Sequence, residues 1–442
     1  MHKEALETYG KIYRMNVLAG MKFVMIIDPD EIRKAFQHDG KFPKRRMLDM
    51  VKVYRNQNKN LYSSAGILIE NGEKWYNTRV KVQQPMLKPQ IVDKYIGKMH
   101  SVSEDFVARM KYLRDQNGEV PNYLNELYKW ALESIGLITF NTRLGCLEAN
   151  LTENSEPQRM ITAVSNVFQV AAATELGPKF WLWYPKLTKN YKKLEKNSEC
   201  IYDITTKYME ETKEKLKDKT ANNAVDVGIL ETILQQDIDN REVVGFMCDL
   251  LAAGIDTTSH STAAILYLLA KHQDRQEILH REIKTVLENN NYKITREVLD
   301  AMPYLKGCIQ ESMRLMPVVD GTQRYYDQDI VLSGYRIPAG TYVALLSGVA
   351  GKLADYFEQP DQFMPERWLP GAKKPHPYAH MPFGSGPRSC IGRRLAYQEM
   401  QLLLIKVLQN FKIEYHHDDI GMIFRFVNMP DKPLRFKFVD RK

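Results

Sequence analysis

Cysteine is scarce in this chain. Five residues in 442 carry a thiol (Cys146, Cys200, Cys248, Cys308, Cys390), widely scattered, odd in number and without a CxxC pair. That argues against a zinc ribbon or a disulfide framework and suits a reducing compartment. No run approaches the roughly 18 consecutive apolar residues a membrane span requires. No Pro/Ser/Gly linker, low-complexity tract or repeat divides the sequence, so 1–442 reads as a single domain. Within it we expect a small β-containing N-terminal part over roughly 1–65, then a helical remainder. The opening MHKEALETYGKIYRMNVLAG has no signal-peptide core and no Arg/Ser-rich presequence. It reads as starting inside a folded helix, with a targeting segment removed, the chain truncated, or no such segment at all.

What is present is globular: 44% hydrophobic and 26% charged residues, with a formal charge of +8. The cations are spread along the chain, which an ordinary solvated surface explains, and no nucleic-acid motif accompanies them. YRMNVLAGMKFVMIIDP reads as two short strands turned at Ala-Gly, and PDEIRKAFQHDG as a helix with proline near its start. Helical patterns dominate from roughly residue 85. The longest is REVVGFMCDLLAAGIDTTSHSTAAILYLLAKH, with Asp239 and Glu242 at capping-box spacing at its start. Strand signals return in QRYYDQDIVLSGYRIPAGTYVALL. The fold class is therefore mainly α with a minor β sheet supplied from both ends.

FGSGPRSCIG, residues 383–392, surrounds Cys390 with glycines and sets it just before a helical run. Its glycines permit close approach to a flat partner. The following helix end, with Arg388 nearby, would favour thiolate over thiol. A buried inert thiol is the bland alternative, and a nucleophile would want a histidine that no motif supplies. A metal ligand fits best. AAGIDTTSH places Gly254, Asp256, Thr257 and Thr258 inside an apolar helix. These residues ease close packing, or they open the helix locally and present an acid and an alcohol to a buried pocket. In QESMRLMP, Glu311 and Arg314 share a helix face, and Arg367 of FMPERWLP offers a second cation to that carboxylate. A buried set would fix the loop carrying Cys390. WYNTR aligns Trp75 with Arg79, donors suited to a carboxylate, and Arg324 is another.

FGSGPRSCIG, AGIDTT, ESMR, PERW and WxxxR, in these positions, resemble the signatures of the cytochrome P450 haem-thiolate monooxygenases, over essentially the whole chain. The resemblance implies the P450 fold, with the long central helix crossing the haem. It implies Cys390 as axial ligand of the haem iron and Phe383 beside its loop. Trp75, Arg79, Arg324 and Arg388 would hold the propionates, and Asp256 and Thr257 would deliver protons during oxygen activation. Glu311, Arg314 and Arg367 would form a structural triad.

CIGRRLA and PYLKGCIQESMRLMP are similar to the mitochondrial branch, which takes electrons from an acidic, adrenodoxin-like ferredoxin. Lys306, Arg393 and Arg394 would dock it, while Gln310 stands where that branch carries a second lysine. The implied location is the matrix side of the inner mitochondrial membrane, held peripherally. PKFWLWYPKL, residues 178–187, is a candidate for dipping into an interface, and core packing is the alternative. A microsomal enzyme lacking its anchor is the alternative location, and a non-catalytic haem sensor the alternative function. Segments 46–70, 158–190, Phe246–Ala253 and Val318–Thr322 would line a pocket for a lipophilic substrate, sterol- or steroid-like or xenobiotic.

Overall fold

A computed structural model describes residues 2–17, 21–149, 151–175, 177, 180–218 and 228–441. The Ala-Gly turn at 19–20 and Pro178 and Lys179 lie outside the described residues. Among the described residues, ten short strands accompany a predominantly helical chain. They are β1 Ile12–Val17, β2 Met21–Ile26, β3 Thr322–Tyr325, β4 Ile330–Leu332, β5 Tyr335–Ile337 and β6 Tyr342–Leu345. Nearer the C-terminus follow β7 Phe411–Glu414, β8 Met422–Arg425, β9 Val427–Pro430 and β10 Lys437–Asp440.

The main sheet has the order β1-β2-β6-β3. Its β2–β6 pair is parallel, in register Phe23↔Tyr342 to Ile26↔Leu345, and joins the two ends of the sequence. Ile26, Val343 and Leu345 are fully buried against Ile32 and Ala35 of the helix Pro29–Gln37. That helix starts where it does because Asp28 accepts the N–H groups of Asp30 and Glu31 and Pro29 supplies a preset φ.

The larger core surrounds the helix Asn240–Lys271, buried along most of its length. Asp239 caps it by accepting the Arg241 N–H at 2.8 Å. Glu242 does not close the expected capping box. Its carboxylate reaches instead to the hydroxyls of Thr78 and Ser63, tying the helix start to a neighbouring segment. The expected local opening at Gly254–Thr258 is also absent: the helix runs on without a break. The Thr257 hydroxyl donates to the Ala253 carbonyl at 2.6 Å, adding a bond to the turn. Gly254 permits close packing on the helix Tyr123–Phe140, since a Cβ there would meet Ile135 at 3.3 Å.

The helix Arg393–Asn410 is buried through Leu395, Leu402, Leu403, Leu404, Ile405, Val407 and Leu408, and so enters the core rather than lying on it. Among the described residues no helix is long and apolar enough to cross a membrane.

Candidate functional site

The 383–392 loop turns on Gly384 and Gly386, at φ +69° and +71°, where a side chain would be strained. The Phe383 carbonyl accepts the Cys390 N–H at 2.8 Å, closing the loop. The Phe383 ring packs 5.1 Å from that of Tyr397. Cys390 is densely surrounded, yet its side chain is exposed, so it faces a crevice rather than packed atoms. The Gly392 N–H, Arg79, Arg45 and Arg393 all favour the thiolate. Burial outweighs them and raises the thiol above its ordinary value, contrary to the expected net preference for thiolate. The Arg388 guanidinium lies over the Trp75 ring.

Trp75 and Arg79 lie on the helix Gly72–Val82, which brings both under the same loop. Arg79 donates from Nη2 to the Ser389 carbonyl at 2.9 Å, and its Nε is buried without a partner. Arg388 donates from Nη2 to the Glu70 carbonyl, while its Nε and Nη1 are buried without partners. Burial first, then repulsion from Arg45, Arg324 and Arg79, pulls Arg388 down to about 8. Burial lowers Arg79 to about 10. Arg45, which no motif signalled, belongs to the same cluster and is lowered to about 10, by burial and then by Arg324 and Arg79. Arg324 is otherwise engaged: its Nε lies 2.9 Å from both oxygens of Asp39, and Nη1 donates to Thr322 and Gln323. Asp39, likewise missed from sequence, is raised by burial despite the pull of Arg324.

Three orphaned guanidinium N–H donors among mutually repelling arginines make a site short of acceptors. An anion bearing carboxylates would satisfy them. Beside them stands an accessible thiol on a loop with no side chains at its glycines. This donor set fits a haem, whose propionates would take the guanidinium donors and whose iron would take the sulfur.

Asp256 and Thr257 sit side by side in the central helix. Asp256 is buried, its Oδ1 has no partner, and burial pushes its carboxyl up to about 7. Glu311 and Arg314 are wholly buried and paired through two bonds of 2.9 and 2.7 Å. The Arg367 Nε donates to Glu311 at 2.9 Å, and so do the Met364 N–H at 3.1 Å and the Trp368 indole at 2.8 Å. The last two donors were not foreseen. They show that five N–H groups converge on one carboxylate, holding it below its usual value against its burial.

Lys306 is part-exposed and paired with Asp300 at 2.7 Å, and Arg393 and Arg394 are exposed. Gln310 does not offer its amide to solvent. Its Nε2 donates to the Tyr397 hydroxyl, and its Oε1 lies 2.8 Å from His380 Nε2. A cavity of about 170 Å³ is lined by Arg46, Met47, Glu175, Gln323, Phe424 and Phe426, among others. Two of the expected pocket segments contribute to it, 46–70 and 158–190. The aromatic wall of Phe424 and Phe426 lies outside the four expected pocket segments.

The cytochrome P450 family model matches residues 1–438. "Probable cytochrome P450 301a1, mitochondrial" of Drosophila melanogaster is 35% identical, over 98% of this chain and 79% of that protein. "Cytochrome P450 CYP12A2" of Musca domestica is 31% identical over 97% of this chain and 83% of its own length. "Cytochrome P450 10" of Lymnaea stagnalis is 34% identical over 100% of this chain and 80% of its own. The chain belongs to the cytochrome P450 family of monooxygenases, which bind haem through a cysteine thiolate.

Proposed function

We propose that this monooxygenase inserts one atom of dioxygen into a lipophilic substrate, sterol- or steroid-like or xenobiotic, in the mitochondrion, with electrons from an acidic ferredoxin. The observation that carries the reading is the accessible Cys390 sulfur beside the acceptor-poor Arg79–Arg388 cluster. Bound haem supplies the redox and oxygen chemistry. Cys390 would be its axial ligand, and Arg79, Arg388 and Arg45 would hold its propionates. Arg324 would serve mainly by fixing Asp39 beside them. Trp75 supports Arg388 from below through its ring face.

Asp256 would carry protons into the pocket. Its value of about 7 leaves both protonation states accessible at neutral pH, as a proton carrier requires. The Thr257 hydroxyl donates to Ala253, so its oxygen still has lone pairs with which to accept. The Glu311 cluster would keep the 359–368 stretch rigid ahead of the cysteine loop.

Lys306, Arg393 and Arg394 would offer charge to an acidic partner, steering its approach. Leu182, Trp183, Tyr184 and Leu187 form an exposed apolar group and would contact the membrane surface. The word mitochondrial in relatives' names supports the location.

Reduced, carbon monoxide-saturated protein should show the thiolate Soret band, and Cys390→Ala should lose it. Turnover of a sterol and xenobiotic panel with ferredoxin and its reductase should give oxygenated product. A wild-type spectrum in Cys390→Ala would end the reading.

A further inference from the structure

Three neighbouring strands of the main sheet, β2, β6 and β3, turn one face into the cavity of about 170 Å³. Phe23 pairs with Tyr342, and Gln323 pairs with Ala344, two residues further along β6. Side chains alternate along a strand, so Phe23, Tyr342 and Gln323 share a face. All three line the cavity, with the Phe23 and Tyr342 rings 5.3 Å apart. Arg46 and Gln323 are the chain neighbours of Arg45 and Arg324, so this wall adjoins the arginine cluster. Ligand pockets enclose about 300–1,000 Å³, so the cavity takes one end of a molecule rather than the whole.

Two polar groups in the wall have hydrogen bonds left to make. Arg46 donates from Nε to both oxygens of Asp49, at 2.9 and 2.8 Å, and from Nη1 to the Tyr342 oxygen at 2.8 Å. A guanidinium only donates, so that oxygen accepts and the Tyr342 proton remains to be given. Among the described residues no acceptor takes it, and none bonds the Gln323 carboxamide. Accepting a bond from a cation makes the hydroxyl a stronger donor. Asp49 already answers the charge on Arg46, so the two groups suit a neutral oxygen better than a carboxylate.

The aromatic part of the wall is held under strain. Phe426 forms the turn of the β8–β9 hairpin, between the paired Arg425 and Val427, at φ +76°. That conformation is costly for a bulky side chain. Its ring stacks on Phe168 at 5.6 Å. Strain of this kind persists only where the surroundings fix it, and it gathers at ligand clamps.

We propose that Tyr342 and Gln323 are specificity-determining residues, which hydrogen-bond a neutral ketone or hydroxyl oxygen at one end of the lipophilic substrate. Its carbon skeleton lies against Phe23, Phe424 and Phe426. This rests on reading the cavity as part of the substrate site and adds which substrates that site favours. Tyr342 donates to the oxygen, while the carboxamide donates to a ketone or accepts from an alcohol. Arg46 is a positioning residue that acts through Tyr342.

The test uses haem-loaded wild type, Tyr342→Phe, Gln323→Leu and the double variant. Affinity is read by the ligand-induced Soret shift and by equilibrium dialysis. The probes are androstane with its 3-ketone, 3-alcohol and 3-carboxylic acid, and 2-ethylnaphthalene with 2-acetylnaphthalene. Wild type should bind ketones and the alcohol about tenfold more tightly than the matched hydrocarbons, and the acid no better than the hydrocarbon. Each single variant should lose part of that preference and the double variant all of it, with hydrocarbon affinity unchanged. Weakening of every probe alike marks a merely structural role and overturns the assignment. So does an acid bound as tightly as the ketone, or a preference that survives in the double variant. Those results leave the lipophilic-substrate reading standing, whereas failure of every probe to bind wild type overturns both.

Discussion

The Arg388 guanidinium lies 4.4 Å from the centre of the Trp75 ring. The ring shields one face of a cation whose Nε and Nη1 have no acceptor of their own. Arg388→Met should leave a folded chain that loses haem readily, because it removes an anion-binding donor without a large cavity. Trp75→Ala should do the same and also cost about 3–5 kcal/mol of stability, as expected for deleting a buried indole. Haem-to-protein ratio after gel filtration, set beside thermal unfolding, separates the two.

Glu311→Gln should be among the most damaging single substitutions in the chain. It keeps the shape but strands Arg314, which is wholly buried, and weakens Arg367. Breaking one side of such a buried set costs about 3–5 kcal/mol. Trp368→Phe, which removes one neutral donor, should cost only about 1–3 kcal/mol. Denaturant midpoints of the two variants give the ratio.

Asp256 and His260 should write two opposed limbs into stability against pH. Burial raises Asp256 from 3.8 to about 7. Between those values the folded chain keeps a proton the unfolded chain has lost, so stability falls as pH rises and levels off above 7. The drop is on the order of 4 kcal/mol. Burial lowers His260 from 6.5 to about 4. There the unfolded chain holds a proton the folded chain refuses, so stability is lost as pH falls through that window, by on the order of 3 kcal/mol. Denaturant unfolding at a series of pH values should show Asp256→Asn removing the first limb and His260→Gln the second.

Restoring a lysine at Gln310 should not restore docking. The side chain is turned to Tyr397 and His380, so Gln310→Lys would lose both of those bonds and set an ammonium against them. Lys306→Ala with Arg393→Ala and Arg394→Ala should raise the KM for an acidic ferredoxin, most at low salt, with the haem spectrum unchanged. Kinetics over a range of ionic strengths would check this.

Trp183 and Leu187 are 78% and 77% exposed. The double variant Trp183→Ser, Leu187→Ser should bind anionic vesicles about tenfold less well, with turnover of a detergent-delivered substrate retained. Vesicle sedimentation measures the first and product analysis the second.

Much of this was legible in sequence for a physical reason. Helices with a strong apolar period, such as Tyr123–Phe140, begin and end where the pattern does. Glu311, Arg314 and Arg367 could be paired because charge complementarity at helical spacing survives translation into space. Arg45 and Asp39 could not, since each reaches the site by the path of an irregular segment and not by any local period. Glu242 was misread because capping-box spacing records only the possibility of a bond, and Thr78 and the nearby serines competed for it. Gln310 illustrates a further limit. Position on a helix told which residue stood there, but its rotamer was decided by Tyr397, 87 residues away.

The ion pair between Asp39 and Arg324 joins positions 285 residues apart. On a ribosome adding roughly 5–20 residues per second, the N-terminal hairpin waits some 15–60 seconds before its sheet neighbours exist. During that interval β2 is an unprotected edge, open to pairing with other nascent chains. Slower elongation should lengthen that exposure and lower the soluble yield unless a chaperone covers the hairpin. Substitutions that blunt the edge of β2 should relieve it.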